Sequence, residues 1–164
     1  MSNLKASSIS SSIKQLGGED FIIGEVVAER QVLLDATKFE NFALLTGDKH
    51  PIHYSEEYAQ SKGLRAPITH GLLLTALTAL GAMPVSDQLT DSMIAMLGVE
   101  ARFSAPVYIG DLITVRMIAT GIERKSGNRC VVTFNVELLS ENQDSCAKII
   151  QHYLLKTSLK KESL

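Results

Sequence analysis

The sequence has no tryptophan, only two cysteines and no excess of basic residues. Its 16 lysines and arginines are balanced by 18 acidic residues, which gives a formal net charge of -2 at pH 7. A general nucleic-acid-binding surface requires a basic excess, and single-strand binding requires aromatic platforms, but aromatic residues make up only 5% of this chain. The composition therefore argues against nucleic acid as a partner.

The two cysteines, Cys130 and Cys146, are too few for a disulfide framework, and their spacing matches no zinc motif. They lie on two predicted strands of a hairpin that turns at about residues 141–144. In that register Cys130 faces Leu155 and Cys146 faces Leu139, so the two thiols do not meet. The sequence predicts two reduced, mostly buried thiols, which is typical of a protein in a reducing, cytoplasmic compartment.

The longest apolar run, residues 71–83, is shorter than the ~20 residues that a membrane span requires, and it contains two threonines. It predicts a buried helix over residues 70–83, with Thr69 as a candidate cap and Pro84 as its end; we expect no membrane association. A helix that is apolar nearly all round must be covered on every side, and a sheet that curls around it would cover it. Pairing with a second copy would complete this burial, which predicts a homodimer.

The chain length of 164 residues fits one domain well and two poorly. Residues 1–18 contain six serines and no acidic residue, and they predict a flexible N-terminal tail. A transit peptide is the less favoured alternative because this segment contains no arginine. We expect the folded domain over residues 19–157 and a C-terminal tail over residues 158–164.

Helical signals dominate the first half of the chain after an initial apolar stretch. Residues 21–34 are rich in Ile and Val and predict one or two strands. Asp35 can then cap a helix that ends at Gly47, and Ser55 can cap a shorter helix that ends at Gly63.

The pattern changes after residue 91 to the alternation of apolar and polar residues that a sheet with one covered face requires. Four predicted strands follow, over residues 93–103, 111–123, 129–140 and 145–157. Residues 125–128 predict a hairpin turn, because Gly and Asn tolerate positive φ. The order of strand, helices and a meander of about four strands predicts an α+β fold, with the helices on one side of an antiparallel sheet.

Titratable residues are concentrated in one loop, since three of the four histidines lie between residues 50 and 70 and Asp48 precedes them. Asp48 and His53 are five residues apart, which places the side chains ~140° apart on a helix and on opposite faces of a strand. They can converge only on an irregular loop, and Gly47 and Pro51 predict such a loop. A carboxylate and an imidazole aimed at one point form a general acid–base pair that can hold one water.

Two other interpretations of this loop stay open. Asp48 can simply end a turn after the helix, with His53 on the surface. A metal site built from Asp48, His50 and His53 has suitable ligand types, but Pro51 stiffens the loop and the spacing lacks a helical context. We therefore predict no metal.

Gly71 is a second candidate, because it follows His70 at the start of the predicted apolar helix. The first N–H groups of a helix have no partner within it, and the helix dipole favours negative charge there. A ligand oxygen can approach the N–H of a residue without a side chain, which would make an oxyanion hole. Gly71 can equally serve only to permit close helix packing.

Three ordered stretches carry a more specific signal. Residues 42–59, FALLTGDKHPIHYSEEYA, resemble the motif Gly-Asp-x-Asn-Pro-x-His-x-Asp. Residues 65–74, RAPITHGLLL, resemble Pro-Ile-x-His-Gly-Met/Leu, and residues 103–111, FSAPVYIGD, resemble Phe-x-x-Pro-Val-x-x-Gly-Asp. All three are motifs of the MaoC-like family, the (R)-specific enoyl-CoA hydratases, and the resemblance covers about residues 20–157.

This resemblance implies a hot-dog fold, in which an antiparallel sheet wraps around a central helix, and a homodimer or a higher even oligomer. It also implies hydration of trans-2-enoyl thioesters of coenzyme A to (R)-3-hydroxyacyl thioesters, and the reverse dehydration, in fatty acid metabolism. Coenzyme A is part of the substrate, and no separate cofactor is implied. By the family motif, Asp48 and His53 are the catalytic pair, and the Gly71 N–H is the oxyanion donor.

Two positions depart from the motif, since the family's Asn is His50 here and its Asp after the catalytic His is Ser55. Candidate substrate contacts are His50, Pro51, Arg65, His70, Leu72 and Thr75. Two alternative functions stay open, a hot-dog acyl-CoA thioesterase and a non-catalytic acyl-CoA-binding subunit. The sequence leaves open the acyl chain length and the choice between coenzyme A and acyl carrier protein.

Overall fold

Five strands and three α-helices make up the part of the chain that the computed structural model describes, residues 13–159. The strands are β1 (Val26–Leu33), β2 (Met93–Phe103), β3 (Leu112–Lys125), β4 (Arg129–Leu139) and β5 (Ser145–Lys156). The helices are α1 (Ala36–Thr46), α2 (Glu56–Ser61) and α3 (Gly71–Ala76). Short 3₁₀ turns occur at Gly18–Asp20, Pro51–His53, Leu80–Ala82 and Ser86–Leu89. Across residues 13–159, none of the helices has both the length and the apolar character that a membrane crossing requires.

All the strands pair antiparallel in one sheet of order β1-β3-β4-β5-β2. The four strands predicted after residue 91 are all present, and the predicted turn at residues 125–128 has positive φ at Gly127 and Asn128. The meander is limited to β3, β4 and β5, because β2 pairs with β5 and not with β3. The connection from β2 to β3 passes the start of α3, where the Thr69 N–H donates to the Val107 carbonyl at 2.7 Å.

One face of this sheet carries the core and wraps around the helical segment. Alternate residues along β3 and β4 are fully buried, as the predicted period of two requires. They include Val115, Met117, Ala119, Val132, Phe134, Val136 and Leu138. Leu73 and Leu74 of α3 are buried in the same cluster. An α+β fold with a sheet around a central helix is therefore confirmed.

The predicted helix over residues 70–83 is wrong in its length, because α3 ends at Ala76. Polar side chains of the sheet donate to backbone carbonyls that would accept N–H groups of the next turn in a longer helix. Arg30 Nη2 donates to the Leu77 carbonyl at 2.5 Å, and Gln151 Nε2 donates to the Thr78 carbonyl at 3.2 Å and to its hydroxyl at 2.7 Å. Buried amide and guanidinium groups need such partners, and this need overrides the helical pattern.

The start of α3 also differs from the prediction. The residue at the N-cap position is His70 rather than Thr69, and its side chain makes no capping bond. The Thr69 hydroxyl is buried and finds no partner among the described residues. Leu72 is 72% exposed, so this chain alone does not cover the helix on every side.

The folded unit begins before residue 19, where the sequence placed its boundary. The Leu16 N–H donates to the Gln88 carbonyl at 2.8 Å, and Gly18 is buried at a position where an added Cβ would clash with the Cys130 thiol. Residues 1–12 and 160–164 of the two predicted tails lie outside the described residues.

Both cysteines are buried free thiols, as predicted, and burial raises the pKa of each. Cys130 faces Leu155 in the predicted register. A bulge shifts the register between Leu138 and Leu139, so Leu139 pairs with Ser145, and the predicted Cys146–Leu139 pair is wrong by one residue.

Candidate active site

Capping interactions define α1, α2 and the loop between them. Asp35 Oδ1 accepts the Lys38 N–H at 3.0 Å at the start of α1, as predicted, and Gly47 with φ +79° ends that helix. Ser55 Oγ accepts the Tyr58 N–H at 3.1 Å and begins α2. Residues 47–54 form the irregular loop that the sequence predicted.

Both departures from the family motif preserve a capping function in this loop. His50 Nδ1 accepts the Ile52 N–H at 3.3 Å, which is a bond that an Asn side-chain oxygen can also accept. Ser55 caps α2 as an Asp in its place would. The two substitutions are therefore compatible with an unchanged backbone path around Asp48, whose Oδ1 accepts the His50 N–H at 3.2 Å.

The fold brings three titratable side chains to one point. A carboxylate oxygen of Asp48 and ring nitrogens of His53 and His70 all lie within 4.8 Å of one another. Asp48 is exposed, His53 is half-buried and His70 is buried. The predicted convergence of Asp48 and His53 on an irregular loop is thus present in the structure.

A backbone contact fixes the orientation and the tautomer of His53. Its Nδ1 lies 2.7 Å from the Ile68 carbonyl oxygen. A carbonyl only accepts, so Nδ1 carries the proton of the neutral ring and Nε2 keeps its lone pair. His53 can therefore accept a proton through Nε2 while Ile68 holds the ring in place.

His70 forms the floor beneath His53. The two rings are stacked, with centroids 3.7 Å apart and an interplanar angle of 25°. The centroid of the Phe42 ring lies 4.6 Å from that of His70. Burial lowers the pKa of His70, the positive charge of His53 lowers it further, and Asp48 acts in the opposite direction. His70 therefore favours the neutral state.

The same stacking disfavours joint metal binding by these three residues. Imidazole lone pairs lie in the ring planes, and the planes of His53 and His70 are nearly parallel. Two nearly parallel rings 3.7 Å apart are poorly placed to direct both lone pairs at one ion. The geometry suits proton transfer better, and the absence of a metal stays a prediction.

A cavity of about 390 Å³ connects His53 with the start of α3. Its other lining residues are Ile68, Thr69, Gly71, Leu74 and the segment 103–107. Gly71 is the first residue of α3, so the helix does not use its N–H. A Cβ on Gly71 would lie 2.8 Å from the ring of Phe103. The close-packing interpretation of Gly71 therefore fits, and Gly71 also lines the cavity, as the oxyanion interpretation requires.

Three other candidate substrate contacts do not line this cavity. His50 is exposed, and its ring packs edge-on against Tyr58 at 5.6 Å. Pro51 is exposed at the start of a 3₁₀ turn. Thr75 is half-buried, and its hydroxyl donates to the Gly71 carbonyl at 3.0 Å.

Arg65 does not reach the cavity beside His53. Its guanidinium forms an ion pair with Asp111 and lies 3.9 Å over the ring of Tyr108. Arg65 and Asp111 line a separate cavity of about 180 Å³. Because its charge is already paired, the predicted contact of Arg65 with a substrate phosphate gains no support.

Sequence reasoning missed Tyr54, whose hydroxyl contacts three separate segments of this site. Its hydroxyl lies 3.0 Å from His70 Nε2, 3.1 Å from the Asp48 carbonyl and 3.2 Å from the Phe39 carbonyl. Tyr54 also lines an apolar cavity of about 490 Å³ on the outer side of α1. The only sequence signal was its position directly after His53, because its partners come from three separate segments.

Comparison with known proteins decides the family. Residues 21–142 match the family model described as a MaoC like domain. The chain belongs to the MaoC-like dehydratase family. The structure is similar to the R-hydratase PhaJ1 from Pseudomonas aeruginosa in its unliganded form, with a TM-score of 0.70, 21% identity and coverage of 93% of this chain and 95% of the other. The fold is the hot-dog fold of MaoC-like hydratases.

Two curated relatives illustrate the level of sequence similarity. The chain is 32% identical over 102 residues to the enoyl-CoA hydratase ChsH3 of Mycobacterium tuberculosis, covering 58% of this chain and 35% of that protein. It is 29% identical over 114 residues to an (R)-specific enoyl-CoA hydratase of Rhodospirillum rubrum, covering 64% of this chain and 66% of that protein. The chain thus spans from about a third to two thirds of the length of these relatives.

Proposed function

We propose that this protein is a hydro-lyase that hydrates trans-2-enoyl thioesters of coenzyme A to (R)-3-hydroxyacyl thioesters and catalyses the reverse dehydration. The observation that carries the proposal is the convergence of Asp48 and His53 beside a cavity that also contains the Gly71 backbone. The relatives named as enoyl-CoA hydratases support it.

Asp48 and His53 are suited to hold and activate one water. Water is a poor nucleophile, so a base must take its proton as the oxygen attacks C3. In this proposal the Asp48 carboxylate takes that proton. Nε2 of His53 accepts a hydrogen bond from the same water, because the Ile68 carbonyl keeps the ring proton on Nδ1.

The Gly71 N–H is the proposed donor to the thioester oxygen. Attack at C3 moves the π electrons toward C2 and the carbonyl, so negative charge develops on that oxygen. The enolate then takes at C2 the proton that Asp48 accepted from the water, and the carbonyl re-forms. The sum of the steps places the hydroxyl on C3 and a hydrogen on C2, and it returns Asp48 and His53 to their starting states.

We also propose that the functional unit is a homodimer formed at the edge strand β2. This edge lies at the end of the sheet order, and its outer side pairs with no strand of residues 13–159. It exposes six large apolar side chains, at Met93, Ile94, Met96, Leu97, Val99 and Phe103. A long exposed apolar edge favours pairing with another strand. Phe103 packs beside Gly71 and lines the cavity, so a partner on β2 would approach the cavity wall.

A reducing, cytoplasmic compartment completes the proposal, supported by the two free thiols.

The assay that tests the function offers crotonyl-CoA to the purified protein and follows two signals. Loss of the enoyl absorbance without release of free thiol supports the hydro-lyase. Release of thiol without hydration would instead favour a thioesterase, and tight acyl-CoA binding without turnover on enoyl chains of any length would favour a non-catalytic binding subunit.

A further inference from the structure

The hydroxyl of Tyr54 joins three parts of the site through one atom. It reaches a carbonyl of α1 at Phe39, the carbonyl of Asp48 in the loop, and Nε2 of His70 before α3. All three distances are 3.0–3.2 Å, within hydrogen-bonding range. No other phenol in the described part of the chain reaches both Asp48 and His70.

The valence of the phenol oxygen determines which partner donates. A tyrosine hydroxyl has one proton to donate and can also accept, whereas backbone carbonyls only accept. The Tyr54 proton serves one of the two carbonyls at a time. The remaining contact, with His70 Nε2, is satisfied at the same time only if Nε2–H donates to the phenol oxygen. The contacts therefore assign the proton of the neutral His70 ring to Nε2.

The other ring nitrogen of His70 agrees with this assignment. Nδ1 is buried and has no hydrogen-bond partner among the described residues. The other neutral tautomer would instead bury an Nδ1–H with no acceptor, which costs the desolvation of that donor. Burial also lowers the pKa of His70, which favours a neutral ring with a single N–H.

The charged and titratable groups that face His70 are His53, Asp48 and Tyr54, while Phe39 and Phe42 contribute only aromatic rings. A second positive charge 3.7 Å below the ring of His53 would oppose protonation of His53. A neutral His70 leaves His53 free to accept a proton.

We propose that Tyr54 is a positioning residue: its phenol holds His70 as the Nε2–H tautomer and so fixes the ring on which His53 stacks. This inference rests on the proposed hydration for its effect on turnover, but the tautomer assignment stands independently of any activity. Tyr54 itself is not assigned a contact with substrate or water.

The test combines Tyr54→Phe with a matched control, Tyr58→Phe, which removes a hydroxyl four residues away from a ring that packs on His50. Long-range ¹H–¹⁵N spectra of the histidine rings in the wild-type protein at neutral pH should show His70 protonated at Nε2 alone. Tyr54→Phe should lower kcat by about tenfold with KM within about twofold, because the damage is to the geometry of the reacting groups. It should also change the His70 ring spectrum, and Tyr58→Phe should change neither.

Two results overturn the inference, and a third bears on the proposed function instead. A wild-type His70 protonated at Nδ1 or at both nitrogens overturns it, even if Tyr54→Phe fails to fold. A folded Tyr54→Phe variant with wild-type kcat and an unchanged His70 spectrum overturns it as well. A wild-type protein without hydratase activity contradicts the proposed function instead, and the ring spectra then still decide the tautomer.

Discussion

The imidazole ring of His53 lies on the ring of His70, with centroids 3.7 Å apart and planes 25° from parallel. His53 is half-buried beside the cavity, and His70 is buried beneath it. This pair links the loop after α1 to the start of α3, so one contact joins the segment that carries the proposed water-binding histidine to the segment that carries the proposed oxyanion donor.

The stability of the protein should fall as the pH falls below about 6.5, the ordinary pKa of histidine, because of His70. Its pKa is lowered in the folded state, chiefly by burial. The unfolded chain therefore binds a proton in a pH range where the folded protein does not, and the free energy of unfolding decreases through that range until the lowered pKa is reached. Urea unfolding at about pH 7.5 and pH 5.5 measures this decrease.

The matched variant for this prediction is His70→Gln, which keeps a donor for Tyr54 but cannot titrate. It should lose less stability than the wild type over the same pH interval, whatever its stability at neutral pH. An equal loss in both proteins would contradict the assignment of this pH dependence to His70.

Gly71→Ala should reduce both stability and turnover, for two separable reasons. The new Cβ would lie 2.8 Å from the Phe103 ring, and relieving such overpacking costs about 1–3 kcal/mol. The methyl group would also hinder the approach of a thioester oxygen to the N–H. Denaturant unfolding and steady-state kinetics on crotonyl-CoA measure the two effects.

The double variant Gly71→Ala/Phe103→Leu separates these effects. A smaller side chain at position 103 should restore most of the lost stability, while turnover should stay low because the methyl group still blocks the N–H. Full recovery of turnover together with stability would show that Gly71 serves packing alone.

Leu97→Asp should dissociate the proposed dimer. Leu97 is 55% exposed on the edge strand β2, and a charge there opposes burial against a second strand. Light scattering after size exclusion should give twice the chain mass for the wild type and the chain mass for the variant. The control is Ile23→Asp, which is 52% exposed outside β2 and should stay dimeric. A monomeric wild type would contradict the proposal.

Local signals predicted much of this fold. The caps at Asp35 and Ser55 and the turn at Gly127 and Asn128 act within a few residues, and the structure confirms each of them. The convergence of Asp48 with His53 was also predictable, because a Gly and a Pro bracket their loop.

The errors arise where distant residues decide the local structure. The long helix is interrupted because Gln151 and Arg30, far away in the sequence, bind the carbonyls of Thr78 and Leu77. Likewise, β2 pairs with β5, although β3 and β4 lie between them in the sequence. The contacts of Tyr54 with His70 and Phe39 span 16 and 15 residues and follow no periodicity.

The central claim is that Asp48 acts as the base in hydration of an enoyl thioester. Its direct test is the rate of crotonyl-CoA hydration by the wild type, by Asp48→Asn and by the control Asp87→Asn, with the product resolved by chiral chromatography. We predict (R)-3-hydroxybutyryl-CoA from the wild type and the control, and a rate at least ~100-fold lower for Asp48→Asn. An (S) product, or an Asp48→Asn variant that turns over at the wild-type rate, would contradict the account.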